Sequence, residues 1–207
     1  MLRLLLILSF LLTFTTQADL LQEGVSASNS GNMQKAMDFW ALACEENDTR
    51  GCLLMALAYD YGDEVKEDRK KAFGLYERAC KDGYVQACTK LGLMYEEGEV
   101  VKEDKKKAFA LFSKACGGDE KLSCHKLALY YDHGIVGASN KLIALNFYKV
   151  ACDGGEVDAC INSARMYRDG RVVKQDYHEA KARFAQACVL ESRLGCKEER
   201  ILEESGF

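Results

Sequence analysis

The apolar residues of this chain recur with the period of an α-helix. In the segment 87–95 they stand at positions i, i+1, i+4 and i+7, which places them on one face of a helix. The segment 105–116 has a similar face, with Ala108, Phe112 and Ala115 in line. Gly98 lies between the two segments, and glycine is common directly after a helix. The pattern therefore predicts two helices joined by a short loop.

This pair of predicted helices recurs every 36 residues. The register is marked by ten cysteines in five C-x7-C pairs, each pair beginning 36 residues after the previous one. The same register is held by tyrosines, namely Tyr59, Tyr95, Tyr131 and Tyr167. A fixed period of this length is typical of repeat proteins, in which each unit packs on its neighbours. We predict one all-α domain over 19–207, with five repeats at about 19–50, 51–86, 87–122, 123–158 and 159–194 and a C-terminal capping helix.

The second helix of every repeat begins beside a residue that can cap it. The positions before these helices hold only asparagine or aspartate: Asn32, Asp68, Asp104, Asn140 and Asp176. A side-chain oxygen there can accept a hydrogen bond from the unpaired backbone N–H groups of the first turn. We therefore predict second (B) helices over 32–45 and from near 69, 105, 141 and 177. The first (A) helices are predicted at about 20–28 and from near 51, 87, 123 and 159.

The spacing of the cysteines predicts how they pair. Each C-x7-C pair flanks the turn from a B helix to the next A helix, and these two ends lie close together in an antiparallel helix pair. Zinc is the alternative, but zinc ligands favour shorter spacings and groups of four. We therefore predict no metal, no other cofactor and one disulfide per repeat. The predicted pairs are Cys44–Cys52, Cys80–Cys88, Cys116–Cys124, Cys152–Cys160 and Cys188–Cys196.

The first eighteen residues differ from the rest of the chain. Arg3 gives a positive start, an apolar run follows, and Ala18 ends the segment as a small residue ends a signal peptide. The run is shorter than the roughly 20 residues that span a bilayer. We predict a signal peptide over 1–18 and a mature chain with no stable membrane insertion, although an uncleaved N-terminal anchor is the alternative. Export predicts a secreted or periplasmic location, where disulfides persist.

The composition excludes further classes. The chain has 207 residues and no proline, which disfavours turn-rich β folds. Its formal net charge is −4, whereas non-specific binding to nucleic acid requires a basic excess. We therefore expect no nucleic-acid partner.

The motif Ala-Cys-x7-Cys-x2-Leu-Gly-x2-Tyr-x2-Gly-x5-Asp-x2-Lys-Ala, read from Ala79 to Ala108, resembles the Sel1-like repeat. The cysteine spacing resembles more closely the Helicobacter cysteine-rich protein family. The resemblance implies an α/α solenoid related to the tetratricopeptide repeat, with a concave groove that binds proteins or peptides. The Helicobacter family further implies secreted penicillin-binding proteins that hydrolyse β-lactams slowly. The implied ligands are therefore a peptide, a protein, a peptidoglycan fragment or a β-lactam.

The residues themselves contain little that predicts a β-lactamase. Serine β-lactamases use Ser-x-x-Lys together with Ser-Asp-Asn and Lys-Thr-Gly. Ser123 and Lys126 match the first motif, but Ser123 also occupies a position that glycine or alanine holds in the other repeats. The histidines are His125, His133 and His178, which lack the spacing of a zinc hydrolase. We interpret Ser123 as a packing residue, and slow β-lactam hydrolysis with unknown catalytic residues stays the alternative function.

The A helices supply the candidate binding surface, because the resemblance places them along the concave groove. Three rows of positions, one helical turn apart, recur on these helices. The predicted groove residues are Leu53, Thr89, His125 and Ile161, then Leu57, Leu93, Leu129 and Arg165, then Tyr61, Glu97, His133 and Asp169. Rows with constant spacing suit an extended ligand. The alternative is that the leucines belong to the core and the other residues are solvated surface.

Overall fold

The computed structural model describes residues 19–62 and 64–207, so the predicted signal peptide lies outside the described residues. Within these ranges the chain is helical and contains no strand. Residues 19–29 form α1. The other helices are α2 (Met33–Glu45), α3 (Thr49–Tyr61), α4 (Arg69–Lys81), α5 (Val85–Glu97), α6 (Lys105–Gly117), α7 (Lys121–His133), α8 (Lys141–Asp153), α9 (Val157–Asp169), α10 (Tyr177–Val189) and α11 (Arg193–Glu204). None of these described helices has the length and apolar character that a bilayer span needs.

The helices form the predicted repeat solenoid, in which odd-numbered helices up to α9 are A helices and even-numbered helices are B helices. The B helices begin where the sequence predicts, because the predicted caps form. Asn32 Oδ1 accepts a hydrogen bond from the Lys35 backbone N–H at 3.1 Å, and Asp68 accepts one from Lys71 at 3.0 Å. The Lys71 hydrogen bond also lowers the pKa of the Asp68 carboxyl. Three further B helices are capped in the same way, by Asp104, Asn140 and Asp176.

The later A helices begin two residues before the predicted positions, at 49, 85, 121 and 157. The prediction placed each start at the small residue that permits close packing. In α3 the cap is Asp48, whose side chain accepts a hydrogen bond from the Arg50 backbone N–H at 3.2 Å. Thr49 is already buried, so the first turn of α3 is part of the packed structure.

All five predicted disulfides are present, one for each repeat. Their Cα–Cα distances are 4.5–4.9 Å, which is within the ordinary range for a disulfide. Each bond joins the last turn of a B helix to the first turn of the following helix. The described chain has no free cysteine, so these sulfurs are not available as thiolate ligands for zinc.

The described chain divides into two compact units. The first unit contains the described residues up to Met94 together with Glu99–Val101. The second unit contains Tyr95–Gly98 and Lys102–Phe207. Each unit has its own hydrophobic core. The single domain over 19–207 stays a prediction.

One aromatic ring from each B helix fills the core. The rings recur every 36 residues and are all buried: Trp40 and Tyr76 in the first unit, and Phe112, Tyr148 and Phe184 in the second. Each ring lies one turn beyond a fully buried alanine, such as Ala144 before Tyr148. The small alanine lets the neighbouring backbone approach while the ring fills the remaining space, which gives the dense packing of a protein interior.

The A helices approach the preceding B helices closely at a position that holds only small residues. At Gly51, an added Cβ atom would meet the backbone oxygen of Trp40 and lie 2.9 Å from the Cβ atom of Ala43. The equivalent residues are also buried, namely Ala87, Ser123, Ala159 and Gly195. The small-residue position is therefore confirmed as a packing feature of every repeat.

Candidate functional site

The first predicted row of the groove is not exposed. Three of its residues, Thr89, His125 and Ile161, are only 3%, 9% and 6% exposed, and Leu53 is half-buried. The expectation that Thr89, His125 and Ile161 face a ligand is therefore wrong, whereas Leu53 stays a prediction. Each residue directly follows a disulfide-bonded cysteine, so its side chain lies on the packed side of the A helix. The ring of His125, for example, lies 5.8 Å from the ring of Tyr148.

The second and third rows reach the surface. In the second row the three leucines are half-buried and Arg165 is exposed. Leu129 packs against the core of the second unit while one part of its side chain stays accessible. The sequence left open whether these leucines belong to the core or to an accessible surface. In the structure they lie between these two alternatives, because each is only partly buried. The third row is exposed throughout: Tyr61, Glu97, His133 and Asp169.

These accessible residues divide between the two units. Leu57, Tyr61 and Leu93 belong to the first unit. The other five belong to the second unit, where α7 and α9 and the end of α5 carry them. We call these five the A-helix surface: Glu97, Leu129, His133, Arg165 and Asp169.

Ion pairs join successive A helices beside this surface, and our sequence analysis missed them. Lys126 Nζ lies 2.6 Å from Glu96 Oε2 in the second unit. In the first unit Lys90 Nζ lies 3.6 Å from Asp60 Oδ2. The two partners are 30 residues apart and recur in the 36-residue register. Opposite charges at this fixed offset are a signal that the sequence alone could have supplied.

The pairing is reversed at one place and interrupted at another. At the end of the second unit Arg168 Nη1 lies 2.9 Å from Glu198 Oε2, so the acid and the base have exchanged positions. Between these pairs the register brings Asp132 on α7 together with position 162 on α9. That position holds Asn162, which carries no charge. The pairing is also absent between α1 and α3, where the register holds Gly24 and Leu54. Between α7 and α9, however, it leaves the carboxylate of Asp132 without the lysine of the register.

A cavity of about 180 Å³ lies where the pairing is interrupted. Its lining includes Arg165 and Asp169 of the A-helix surface, together with Asp132 and Asn162. Asp132 Oδ2 accepts a hydrogen bond of 3.3 Å from the hydroxyl of Tyr148. Burial and the charge of Asp132 raise the pKa of Tyr148, so its hydroxyl stays protonated and acts as a donor at physiological pH.

A larger cavity of about 560 Å³ lies in the first unit, beside α2, α3 and the residues that follow α3. Lys71, which lines it, lies 3.5 Å from Asp68 and 5.1 Å from the centre of the Tyr59 ring. None of the twelve predicted groove residues lines this cavity. A cavity of about 330 Å³ beside α11 in the second unit also contains none of them. Of these three cavities, the one lined by Asp132 and Asn162 coincides with the predicted surface.

Ser123 is fully buried at the small-residue position of α7. This confirms its interpretation as a packing residue. Lys126, the other residue of the Ser-x-x-Lys match, is held in its ion pair with Glu96. The hydroxyl of Ser123 is therefore not accessible to a ligand. In the described ranges, no group of histidine, cysteine, aspartate and glutamate side chains is arranged to hold a metal ion.

His125 is a buried titratable group of the second unit. Its Nε2 atom is buried and has no hydrogen-bond partner in the described chain. Burial lowers the pKa of the imidazole, Asp158 opposes this change and Lys126 adds to it. The folded protein therefore favours the neutral ring, whereas the unfolded chain binds a proton near pH ~6.5.

We expect the free energy of unfolding to fall as the pH is lowered from about 7 through about 6.5 and further toward about 5, because the unfolded state then binds a proton that the folded state resists. In His125→Leu, which carries the residue found at position 53, this part of the pH dependence should be absent. Denaturant unfolding of both proteins across this pH range measures the difference. His133 and His178 are exposed in the structure and common to both proteins. If the free energy of unfolding changed equally with pH in both proteins, the buried imidazole would not be neutral in the folded state.

The repeats match a known family. The family model of the Sel1 repeat matches residues 18–48, 49–84, 85–118, 121–156 and 157–188. The chain belongs to the Sel1 repeat family. The matched copies from 49 onward begin at or beside the first residue of an A helix, as the structure also places it. As a disulfide-rich Sel1 repeat protein, the chain is a protein-interaction scaffold, and its five disulfides are typical of an extracytoplasmic protein.

Solved structures share this Sel1 repeat fold. The crystal structure of c5321, a protective antigen present in uropathogenic Escherichia coli strains, is 24% identical with a TM-score of 0.85 and covers 92% of this chain. This chain spans only 42% of that one. A Sel1 repeat protein from Oxalobacter formigenes is 17% identical with a TM-score of 0.75, over 91% of this chain and 86% of its own. A search of curated proteins found no significant match.

The cysteine-rich protein B of Helicobacter pylori is also similar to this Sel1 repeat protein. It is 31% identical over 61% of this chain and 91% of its own, with a TM-score of 0.49. The family named from the cysteine spacing is thus represented among the similar structures.

Proposed function

We propose that this Sel1 repeat protein is a secreted or periplasmic scaffold that binds an extended peptide segment of a partner on the A-helix surface. The observation that carries the proposal is the regular exposure of equivalent residues on successive A helices of the second unit. Glu97, His133 and Asp169 stand 36 residues apart, and each is exposed. An extended ligand can contact such residues one helix at a time.

The chemistry of the surface supports a peptide that carries both an apolar and an acidic group. Leu129 offers a partly accessible apolar side chain, and Arg165 projects from the position where the other repeats have leucine. Arg165 is exposed and forms no ion pair with the described residues. An unpaired arginine is suited to bidentate binding of a carboxylate. We therefore infer that Arg165 is the main polar contact for the peptide.

The proposal does not include hydrolysis through Ser123, because that side chain is fully buried. A β-lactam and a peptidoglycan stem peptide each carry a carboxylate, so both can compete for Arg165. Their competition with a selected peptide separates a general carboxylate site from a peptide-specific one.

The test is selection of peptides from a random library on the oxidised protein, followed by affinity measurement by isothermal titration calorimetry. We expect saturable binding, with an affinity at least about tenfold weaker in Arg165→Leu. Lys106→Ala is the matched control, because it removes one exposed positive charge from α6, away from the A-helix surface. Affinity that is equal in the wild type and Arg165→Leu, or equally reduced in Lys106→Ala, would overturn the proposed surface.

A further inference from the structure

The interrupted ion pair gives Asp132 one fewer cation than its counterpart in the first unit. Asp60 has two cations nearby, Arg69 Nε at 3.5 Å and Lys90 Nζ at 3.6 Å. Asp132 has Lys141 Nζ at 3.8 Å, and Asn162 replaces the second lysine. The charge on the Asp132 carboxylate is therefore less compensated than the charge on Asp60.

The carboxylate of Asp132 can be reached from the cavity. Its side chain is 18% exposed, compared with 10% for Asp60, and it lines the cavity of about 180 Å³. A single water molecule needs only about 10–15 Å³ of such space, so the cavity has room for a larger group. Asn162 also lines the cavity, and its side-chain amide, which contacts the Tyr148 hydroxyl, carries an oxygen that can accept a hydrogen bond.

The neighbouring repeats show which chemical group fits an acid at this position. Glu96 and Asp60 each have the ammonium group of a lysine from the next A helix beside the carboxylate. The lysine stem lies along the helix surface while the ammonium group reaches the acid. Met166 and Val172 line the cavity beside Asp132 and offer apolar contacts for such a stem.

We propose that the cavity beside Asp132 binds a primary ammonium group on an aliphatic stem, as in a lysine side chain of the peptide that occupies the A-helix surface. That the ammonium group belongs to a peptide depends on the proposed function. That the cavity binds an ammonium group depends only on Asp132 and Asn162. The carboxylate of Asp132 forms an ion pair with the ammonium group, and the amide oxygen of Asn162 accepts a hydrogen bond from it.

The other charges of the cavity define the rest of the ligand. Besides Asp132, the cavity is lined by Asp169, which pairs with Arg168, and by Lys141, Arg165 and Arg171. The three cations outnumber the two carboxylates and would repel a ligand that carries only positive charge. A carboxylate on the ligand would pair with Arg165 and remove this repulsion. The preferred ligand therefore carries an ammonium group and a carboxylate together.

Nα-acetyl-L-lysine carries these two groups and is the probe for the test. Its binding to the oxidised protein is followed by ¹H–¹⁵N NMR, using the side-chain amide of Asn162 and the backbone amides of α9. We expect saturable shifts confined to the cavity. Nα,Nε-diacetyl-L-lysine, in which the ammonium group is neutralised, should bind at least about tenfold more weakly. Equal binding of the two probes would overturn the proposal.

Two exchanges within the repeat register provide matched variants. Asn162→Lys places in the second unit the lysine that the neighbouring repeats carry, so it should fold and lose the probe. Lys126→Asn is the control: it removes the lysine beside Glu96, but Leu129 and Ile135 stand where the cavity has Arg165 and Arg171, so binding of the probe beside Asp132 should be unchanged. Unchanged probe binding in Asn162→Lys would show that the ammonium group does not lie beside Asp132.

The same variants separate this inference from the proposed function. If a selected peptide loses affinity in Arg165→Leu but not in Asn162→Lys, the peptide surface stands and the ammonium site is wrong. If the lysine probe binds as expected while no peptide is selected, the ammonium site stands and the peptide surface is wrong.

Discussion

Refolding under reducing conditions is expected to leave this protein without a cooperative thermal unfolding transition. Each disulfide closes a short loop between cysteines eight positions apart, and such a loop contributes about 2.5 kcal/mol on the chain-entropy model. Five contributions of this size are comparable with the whole stability of a typical domain, about 5–15 kcal/mol. The reduced chain should therefore be mostly unfolded even though its helix caps and apolar faces are unchanged.

The measurement must allow for the burial of the sulfurs. Cys52, Cys88 and Cys160 are fully buried, so a reductant added to the folded protein reaches them slowly. The chain is reduced in denaturant, the denaturant is removed with reductant present, and far-UV circular dichroism is recorded against temperature. The control omits the reductant and should regain the transition. The same melting curve with and without reductant would show that the disulfides contribute little to the stability of the folded protein.

Single disulfides should differ in effect. Cys152 and Cys160 are both fully buried in the core of the second unit, whereas Cys196 is exposed at the start of α11. Replacing Cys152 and Cys160 by serine removes the bond and leaves two polar groups in the core. We expect a loss of at least about 2–4 kcal/mol for this pair and a smaller loss for Cys188 and Cys196.

Phe184→Ala is expected to lower the free energy of unfolding by about 3–5 kcal/mol. The ring is fully buried in the core of the second unit, in the same cluster as the fully buried Ala180 and Ala187, so its removal is expected to leave a cavity. Arg168, whose guanidinium carbon lies 6.0 Å from the centre of the ring, would also lose this contact. Chemical denaturation of the oxidised protein measures the change.

Tyr148→Phe provides the comparison at the equivalent position of the preceding repeat. It keeps the ring and removes only the hydroxyl that donates to Asp132. We expect a loss of about 0.5–1.5 kcal/mol. A loss for Phe184→Ala no larger than for Tyr148→Phe would mean that the core collapses around the missing ring.

Much of the fold could be predicted because its determinants are local and repeated. Asn32 and Asp68 specify where α2 and α4 begin through hydrogen bonds within their own first turns. The disulfide pairing followed from the C-x7-C spacing, since residues on both sides of one tight turn have few alternative partners. The five Sel1 repeats reinforce these signals, because each feature appears at the same position in several copies.

The binding surface was predicted less well. The row containing Thr89, His125 and Ile161 was expected to face a ligand, but these residues are buried. An A helix in a solenoid packs against helices on more than one side, so its buried face is wider than the periodicity of one isolated helix suggests. Which positions of an A helix remain accessible therefore depends on its neighbours.

The sequence by itself determined the helices, their repeat and the five disulfides, because these depend on caps, apolar periodicity and cysteines close together along the chain. Only the tertiary structure decided which charged side chains form ion pairs. Lys126 reaches Glu96 across 30 residues because the solenoid brings successive A helices side by side. The same packing leaves Asp132 beside Asn162 and opens the cavity between them. Such contacts depend on helix orientation and side-chain reach in three dimensions, which the order of residues fixes only through the fold.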